Sequence, residues 1–179
     1  YIDRDPGAGE GLIPICVKFT IKGDEVIYDF TGSHGIISTL YNSAFGATFS
    51  GVVSGMKAYF ADLPLNSGFY RTIKVIAPKD SIVDARWPVA VTGFQMPFEK
   101  IMNSIYEIWS EIMPERAMAC TFNVEYLLTG GRDTRQEDKP IFMFYDWLPG
   151  GWGARATKDG CNVTTACFGT GMKAQPIEG

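Results

Sequence analysis

From Ile15 to Phe30, apolar residues recur at every second position. Ile15, Val17, Phe19 and Ile21 alternate with Cys16, Lys18, Thr20 and Lys22, and Val26, Tyr28 and Phe30 resume the pattern after Gly23-Asp24. Side chains change face at each residue of a strand, so period two means two strands with one buried face each. Gly ahead of Asp predicts a two-residue type II′ turn, because the first central residue of that turn needs positive φ. An antiparallel hairpin over 15–30 is therefore the first element, with Val17, Phe19 and Ile21 in the core.

A second pattern has a different period. Phe98, Ile101, Met102, Ile105, Ile108, Trp109 and Ile112 follow three-and-four spacing, which predicts an amphipathic helix over 98–113 with Ile105, Ile108 and Trp109 buried. Pro114 ends it. Residues 38–60 also read as a helix, although Gly46, Gly51 and Gly55 each cost about 1 kcal/mol against Ala in a helix interior. Glycines there predict close approach to a neighbouring element, a theme that Ala44, Ala47, Ser50, Ser54 and Ala58 extend. Further strands are expected at 70–77, 118–128 and 141–147, with a short extended piece at 87–91. Residues 1–14, 62–68, 78–81 and 130–139, and everything after Pro149, read as irregular. The fold class is mixed α/β of the α+β kind: a hairpin and further strands with a few packed helices.

Composition excludes several classes of function. A chain of 179 residues predicts one domain or a large piece of one, able to bury roughly 68–70% of its unfolded surface. It needs neither disulfide nor metal merely to fold. Hydrophobic residues at 46% and charged residues at 20% rule out a disordered tail. Lys plus Arg number 16 against 20 Asp plus Glu, so no basic footprint for nucleic acid exists. No run of 18 apolar residues could span a membrane. The start, Tyr1-Ile2-Asp3-Arg4-Asp5-Pro6, has neither Met nor signal-peptide regions and reads as the cut edge of a longer protein. Cys16, Cys120, Cys161 and Cys167 form no C-x-x-C pair, and buried thiols in a reducing compartment are expected.

Self-sufficient catalysis has no signature. His34, the single histidine, cannot build a three-ligand metal cluster without converging carboxylates, and no G-x-S-x-G elbow accompanies it. It reads as a turn or surface residue. No Walker A loop occurs. Two places could contact a substrate or a phosphate. Gly150, Gly151 and Gly153 follow a strand, where exposed backbone N–H groups can cradle an anion, and Arg155 adds a guanidinium fork. Asn66 and Arg71 form a second polar pair flanking the expected strand start. Tight packing and turn chemistry would equally explain both.

Read in order, several segments resemble the hydantoinase B / oxoprolinase family. They are VKFTIKGDEVIYDFTGS at 17–33, LPLNSGFYRTIKVIAPKDSIVDARWPVAV at 63–91, PERAMA at 114–119 and FYDWLPGGWGARATKDG at 144–160. The resemblance implies a central fragment of a longer B-type subunit. Such a subunit works with a hydantoinase A-like partner that binds and hydrolyses ATP. It also implies ATP-dependent opening of cyclic amides such as 5-oxoproline or N-methylhydantoin, or ATP-dependent carboxylation of acetone or acetophenone. A cytoplasmic complex using ATP and a divalent metal is expected, with this fragment binding no cofactor itself and the metal-binding His and Asp residues lying upstream of Tyr1. The chain departs from the family at His34-Gly35, and at 167–178 only Pro176 and Glu178 survive of a T-N-T-x-x-T-P-x-E stretch. The second departure lifts the carboxylase branch. A non-catalytic interaction or scaffold module is the reading from another class.

Overall fold

The computed structural model describes residues 1–3, 11–121, 125–148 and 150–162. In chain order they form β1 (Lys18–Lys22), β2 (Glu25–Asp29), α1 (Phe45–Tyr59), α2 (Ser67–Arg71), β3 (Ile73–Ile76), α3 (Gln95–Ile112), a 3-10 turn (Pro114–Arg116), β4 (Glu125–Arg132) and β5 (Ile141–Leu148). The chain is mixed α/β. The expected hairpin is present: β1 and β2 are antiparallel with Phe19 opposite Tyr28, and Gly23 alone of the turn pair has positive φ, at +63°.

The sheet has the order β1-β2-β3, and β3 runs parallel to β2 with Val26 opposite Ile73. Its strand is shorter than the expected 70–77, because residues 67–71 coil into α2. Asn66 explains this. Its Oδ1 accepts from the backbone N–H groups of Gly68 (2.9 Å) and Phe69 (3.2 Å), an N-cap that starts a helix where apolar content alone suggested a strand. The stretch 87–91 is a turn with Trp87 exposed, not an extended piece. Strand β4 lies inside the expected 118–128 only at its start and runs on through Gly130, Gly131 and Arg132, so the surface loop shrinks to the turn around 133–140. Ile141, Phe142, Met143 and Phe144 of β5 are exposed.

Helix α1 begins at Phe45 rather than at 38, because Asn42 holds the preceding segment out of the helix. Its Oδ1 accepts from the Ile37 N–H, and its Nδ2 donates to the carbonyls of Ile37, Thr39 and Ala90. Near its other end Lys57 donates to the carbonyls of Phe60, Ala61 and Leu63, tying down the chain that leaves the helix. Two of the three glycines do what the sequence predicts. A Cβ on Gly55 would lie 2.7 Å from Ile105 Cβ, and one on Gly51 would lie 3.2 Å from the Phe98 carbonyl oxygen. Gly46 has nothing within 4 Å of such an atom.

The core lies between the sheet and the α1–α3 pair. Tyr28, Phe30, Val52, Ile101 and Ile105 are fully buried and Trp109 is 6% exposed. Val17, Phe19 and Ile108 pack partly buried against this cluster. Ile21 does not join it: it is 55% exposed. Ile2 and Ile13, in the expected irregular lead-in, exchange backbone hydrogen bonds and are buried. The buried segment Ser81–Ala85 is tied to α1 by Thr48 Oγ1, which donates to the Val83 carbonyl at 2.7 Å. The cysteine expectation fails: Cys16, Cys120 and Cys161 are exposed free thiols. For Cys16 the reason is the hairpin's own alternation, which faces it away from Ile15 and Val17. Cys167 lies outside the described residues.

Two stability outcomes follow. Trp109→Ala costs about 3–5 kcal/mol in denaturant unfolding, the range for deleting a buried large aromatic side chain. Gly55→Ala costs about 1–3 kcal/mol, because Ile105 Cβ sits at its own backbone and cannot swing aside. Gly46→Ala is neutral or stabilising, so the difference between the two alanines reads the α1–α3 approach directly.

Candidate functional site

The glycine-rich segment after β5 is docked as backbone on backbone. The Trp152 N–H donates to the Cys161 carbonyl (2.9 Å), the Ala119 N–H to the Ala154 carbonyl (2.9 Å) and the Arg155 N–H to the Lys158 carbonyl (2.8 Å). Met118 and Arg155 form an antiparallel bridge. Gly153 sits where the segment presses on residues 119–120. A Cβ there would overlap the Ala119 carbonyl and lie 2.7 Å from the Cys120 carbonyl oxygen. A Cβ on Gly151 would meet the Cys161 carbonyl oxygen at 3.3 Å. Neither glycine has positive φ, so close approach rather than a left-handed turn is what calls for glycine here.

This docking opens a polar cleft of about 300 Å³ at the C-terminal end of α1, lined among others by Tyr59, Asp62, Glu115, Arg116, Arg155 and Lys158. Arg116 is held by its Nη1, which donates to the Tyr59 carbonyl at 2.8 Å. The C-terminal carbonyls of a helix favour a cation at that position. Among the described residues no carboxylate lies within ion-pair distance of Arg116, Arg155 or Lys158.

A second cleft, about 390 Å³ and mostly apolar, is lined among others by Val26, Met56, Phe60, Phe69, Trp109 and Asn66. The six sequence candidates are thus not one constellation. Asn66 borders the apolar cleft and spends its side-chain oxygen on α2. Arg71, exposed in the last turn of α2, lines neither cleft. Gly151 and Gly153 shape the docked segment, which Gly150 precedes, and of the six only Arg155 opens onto the polar cleft. Arg116 and Lys158 were missed as site residues. Arg116 stands in PERAMA and Lys158 just beyond the Gly-Ala-Arg run, but nothing in their spacing says that they meet.

The shifted ionisable groups lie elsewhere. Burial pushes the Tyr28 phenol up, against the opposing effect of its bond from Trp109. Arg135 side-chain and backbone donors, with Gln136, hold the partly buried Asp133 carboxyl at about 2, which marks it as a turn fastener. His34 is exposed, and its Nδ1 lies 2.9 Å from the Gly35 carbonyl oxygen. Among the described residues no group of three His, Cys, Asp or Glu side chains is placed to hold a metal ion. These residues do not fit a metal seat, so no step is routed through one. No described helix is long and apolar enough to cross a membrane.

Comparison with known proteins then decides the family. The Hydantoinase B/oxoprolinase family matches residues 1–179. The chain belongs to this family. An uncharacterised protein of Methanocaldococcus jannaschii is 31% identical over 145 residues, covering 79% of this chain and 24% of that protein. A Pseudomonas protein, provisionally named as the B component of a D-/L-hydantoinase, is 22% identical over 188 residues, covering 99% of this chain and 30% of its own. The crystal structure of an ATP-dependent caprolactamase from Pseudomonas jessenii superposes with a TM-score of 0.69 at 24% identity. That likeness covers 87% of this chain and 28% of the caprolactamase chain, and it shows a shared fold. The chain therefore spans less than a third of the length of the relatives it matches.

The Gly-Gly-Trp-Gly-Ala-Arg run at 150–155 has a structural use in this chain. Gly153→Ala must push the 150–160 segment off residues 119–120. It costs about 1–3 kcal/mol and speeds amide exchange at Ala119 and Trp152, read by hydrogen–deuterium exchange, while the amides of α3 keep their protection.

Proposed function

We propose that this chain forms part of the B-type subunit of an ATP-dependent cyclic-amide hydrolase, working with a hydantoinase A-like ATP-binding subunit or domain. The family match across all 179 residues carries the reading. The fold shared with an ATP-dependent caprolactamase supports it.

The chemistry explains why ATP is needed. A ring amide is a poor electrophile, and phosphorylation of its oxygen would make the carbon reactive and give the oxygen a phosphate leaving group. Water then adds at that carbon, the ring C–N bond breaks with the nitrogen leaving as an amine, and a second water hydrolyses the acyl phosphate so formed to a carboxylate and inorganic phosphate. The partner supplies the phosphoryl group, and a divalent metal in the full complex would stabilise its charge. The described residues of this chain present no nucleotide loop and no metal cluster, so their share is to shape and orient, with Gly150, Gly151, Gly153, Arg155, Asn66 and Arg71 as candidate contacts.

The departure at 167–178 favours a second reading, the ATP-dependent carboxylation of a small ketone. One assay separates the possibilities. The intact protein and its ATP-binding partner are given ATP with 5-oxoproline, N-methylhydantoin, caprolactam, acetone or acetophenone, with and without bicarbonate. Ring opening coupled to ATP hydrolysis and independent of bicarbonate is expected, and the 179-residue chain alone gives none. Bicarbonate-dependent turnover of a ketone moves the protein to the carboxylase branch. No substrate-stimulated ATP hydrolysis at all makes this region an interaction module.

A further inference from the structure

We propose that the polar cleft beside the end of α1 is an oxyanion-binding site, in which Arg155 and Lys158 hold a phosphate or carboxylate group and Arg116, tied to the Tyr59 carbonyl, adds to the positive charge of the lining. The proposal does not depend on the activity proposed above.

Four observations carry it. The first is local charge. The chain carries a net charge of −4, yet this cleft presents three cations, Arg116, Arg155 and Lys158, against two carboxylates, Asp62 and Glu115. The second is that those charges are not already spent on one another. Among the described residues, no carboxylate comes within 4 Å of any of the three cations. The third is that the donors sit on a held backbone. Arg155 and Lys158 close a tight turn through the Arg155 N–H to Lys158 carbonyl bond, and that turn is bridged to Met118. A fixed turn places two long side chains side by side without the full entropy of ordering a loop. The fourth is the turn's own donors. Ala156 and Thr157, between the two cations, also line the cleft, and among the described residues their backbone N–H groups and the Thr157 hydroxyl have no hydrogen-bond partner.

The donor set selects the ligand class. A guanidinium fork matches two oxygens of a carboxylate or phosphate, an ammonium adds a point charge, and turn N–H groups add neutral donors. A neutral or cationic ligand would leave Arg155 and Lys158 unanswered.

The test is a calorimetric titration of the intact protein at constant ionic strength, with inorganic phosphate, with succinate and with chloride as control. Saturable binding of phosphate, succinate or both, with no chloride signal, is expected, and the two arms tell a phosphate site from a carboxylate site. Arg155→Ala should weaken binding tenfold or more, Lys158→Ala several-fold, and Arg155→Lys should restore part of the loss. Lys79→Ala removes one exposed positive charge elsewhere and should leave affinity unchanged. Melting temperatures are recorded for every variant. If Arg155→Ala fails to fold, Arg155→Lys and Lys158→Ala carry the decision. Binding that is absent in the parent protein, or that falls equally in Lys79→Ala and Lys158→Ala, overturns the proposal.

Discussion

Trp109 donates its indole N–H to the Tyr28 hydroxyl at 2.8 Å, across 81 residues of sequence, and this bond pins α3 to the central strand of the sheet. Both groups are buried, so neither could turn to water if the other moved, and an unsatisfied buried polar group costs about 1–3 kcal/mol. Aromatic rings close around the joint. Phe60 stands edge-on to Trp109 with centroids 4.8 Å apart, and Phe19 lies 5.4 Å from Trp109 and 5.0 Å from Tyr28. One indole therefore touches the first strand, contacts the second and meets the end of α1. Burial there also keeps the Tyr28 phenol protonated well beyond the ordinary tyrosine range, so the acceptor in this bond remains a neutral hydroxyl.

Once α3 is fixed, α1 has one place to go. Gly51 and Gly55 let it lie against Phe98, Ile101 and Ile105, and Tyr59 completes the contact by donating to the Tyr106 carbonyl at 2.9 Å. That places the C-terminal carbonyls of α1 beside the turn that follows α3, where Arg116 reaches the Tyr59 carbonyl. The glycine-rich segment then comes in against residues 118–120 and brings Arg155 and Lys158 to line the same cleft. The cleft is thus a consequence of helix packing. Its cations come from two segments about forty residues apart, brought together by an interface built of apolar side chains and glycines.

The hairpin, α3 and the close approach of two of the α1 glycines were legible in the sequence, because each rests on local periodicity or on a residue's own backbone freedom. Period-two alternation marks a strand, three-and-four spacing marks α3, and Gly51 and Gly55 advertise a neighbour without naming it. Where a local polar group competes with the apolar pattern, the pattern misled. Asn66 turned an expected strand into α2, and Asn42 shortened α1 by holding the chain at 37–42. Ile21 keeps its phase in the alternation yet finds no partner to cover it.

The candidate site was legible only in part. Arg155 and its glycines stood out because their types are unusual together. Gly153 owes its glycine to the carbonyls of Ala119 and Cys120, and Asn66 owes its position to the amides of α2. The sequence by itself determined the family motifs, the hairpin and the amphipathic helix, since those depend on neighbours a few residues away. Only the tertiary structure decided that β3 would pair parallel to β2, that Trp109 would find Tyr28, and that Arg116, Arg155 and Lys158 would share one cleft. Such contacts are set by how apolar surfaces pack between elements distant in the chain, and no single segment carries that geometry.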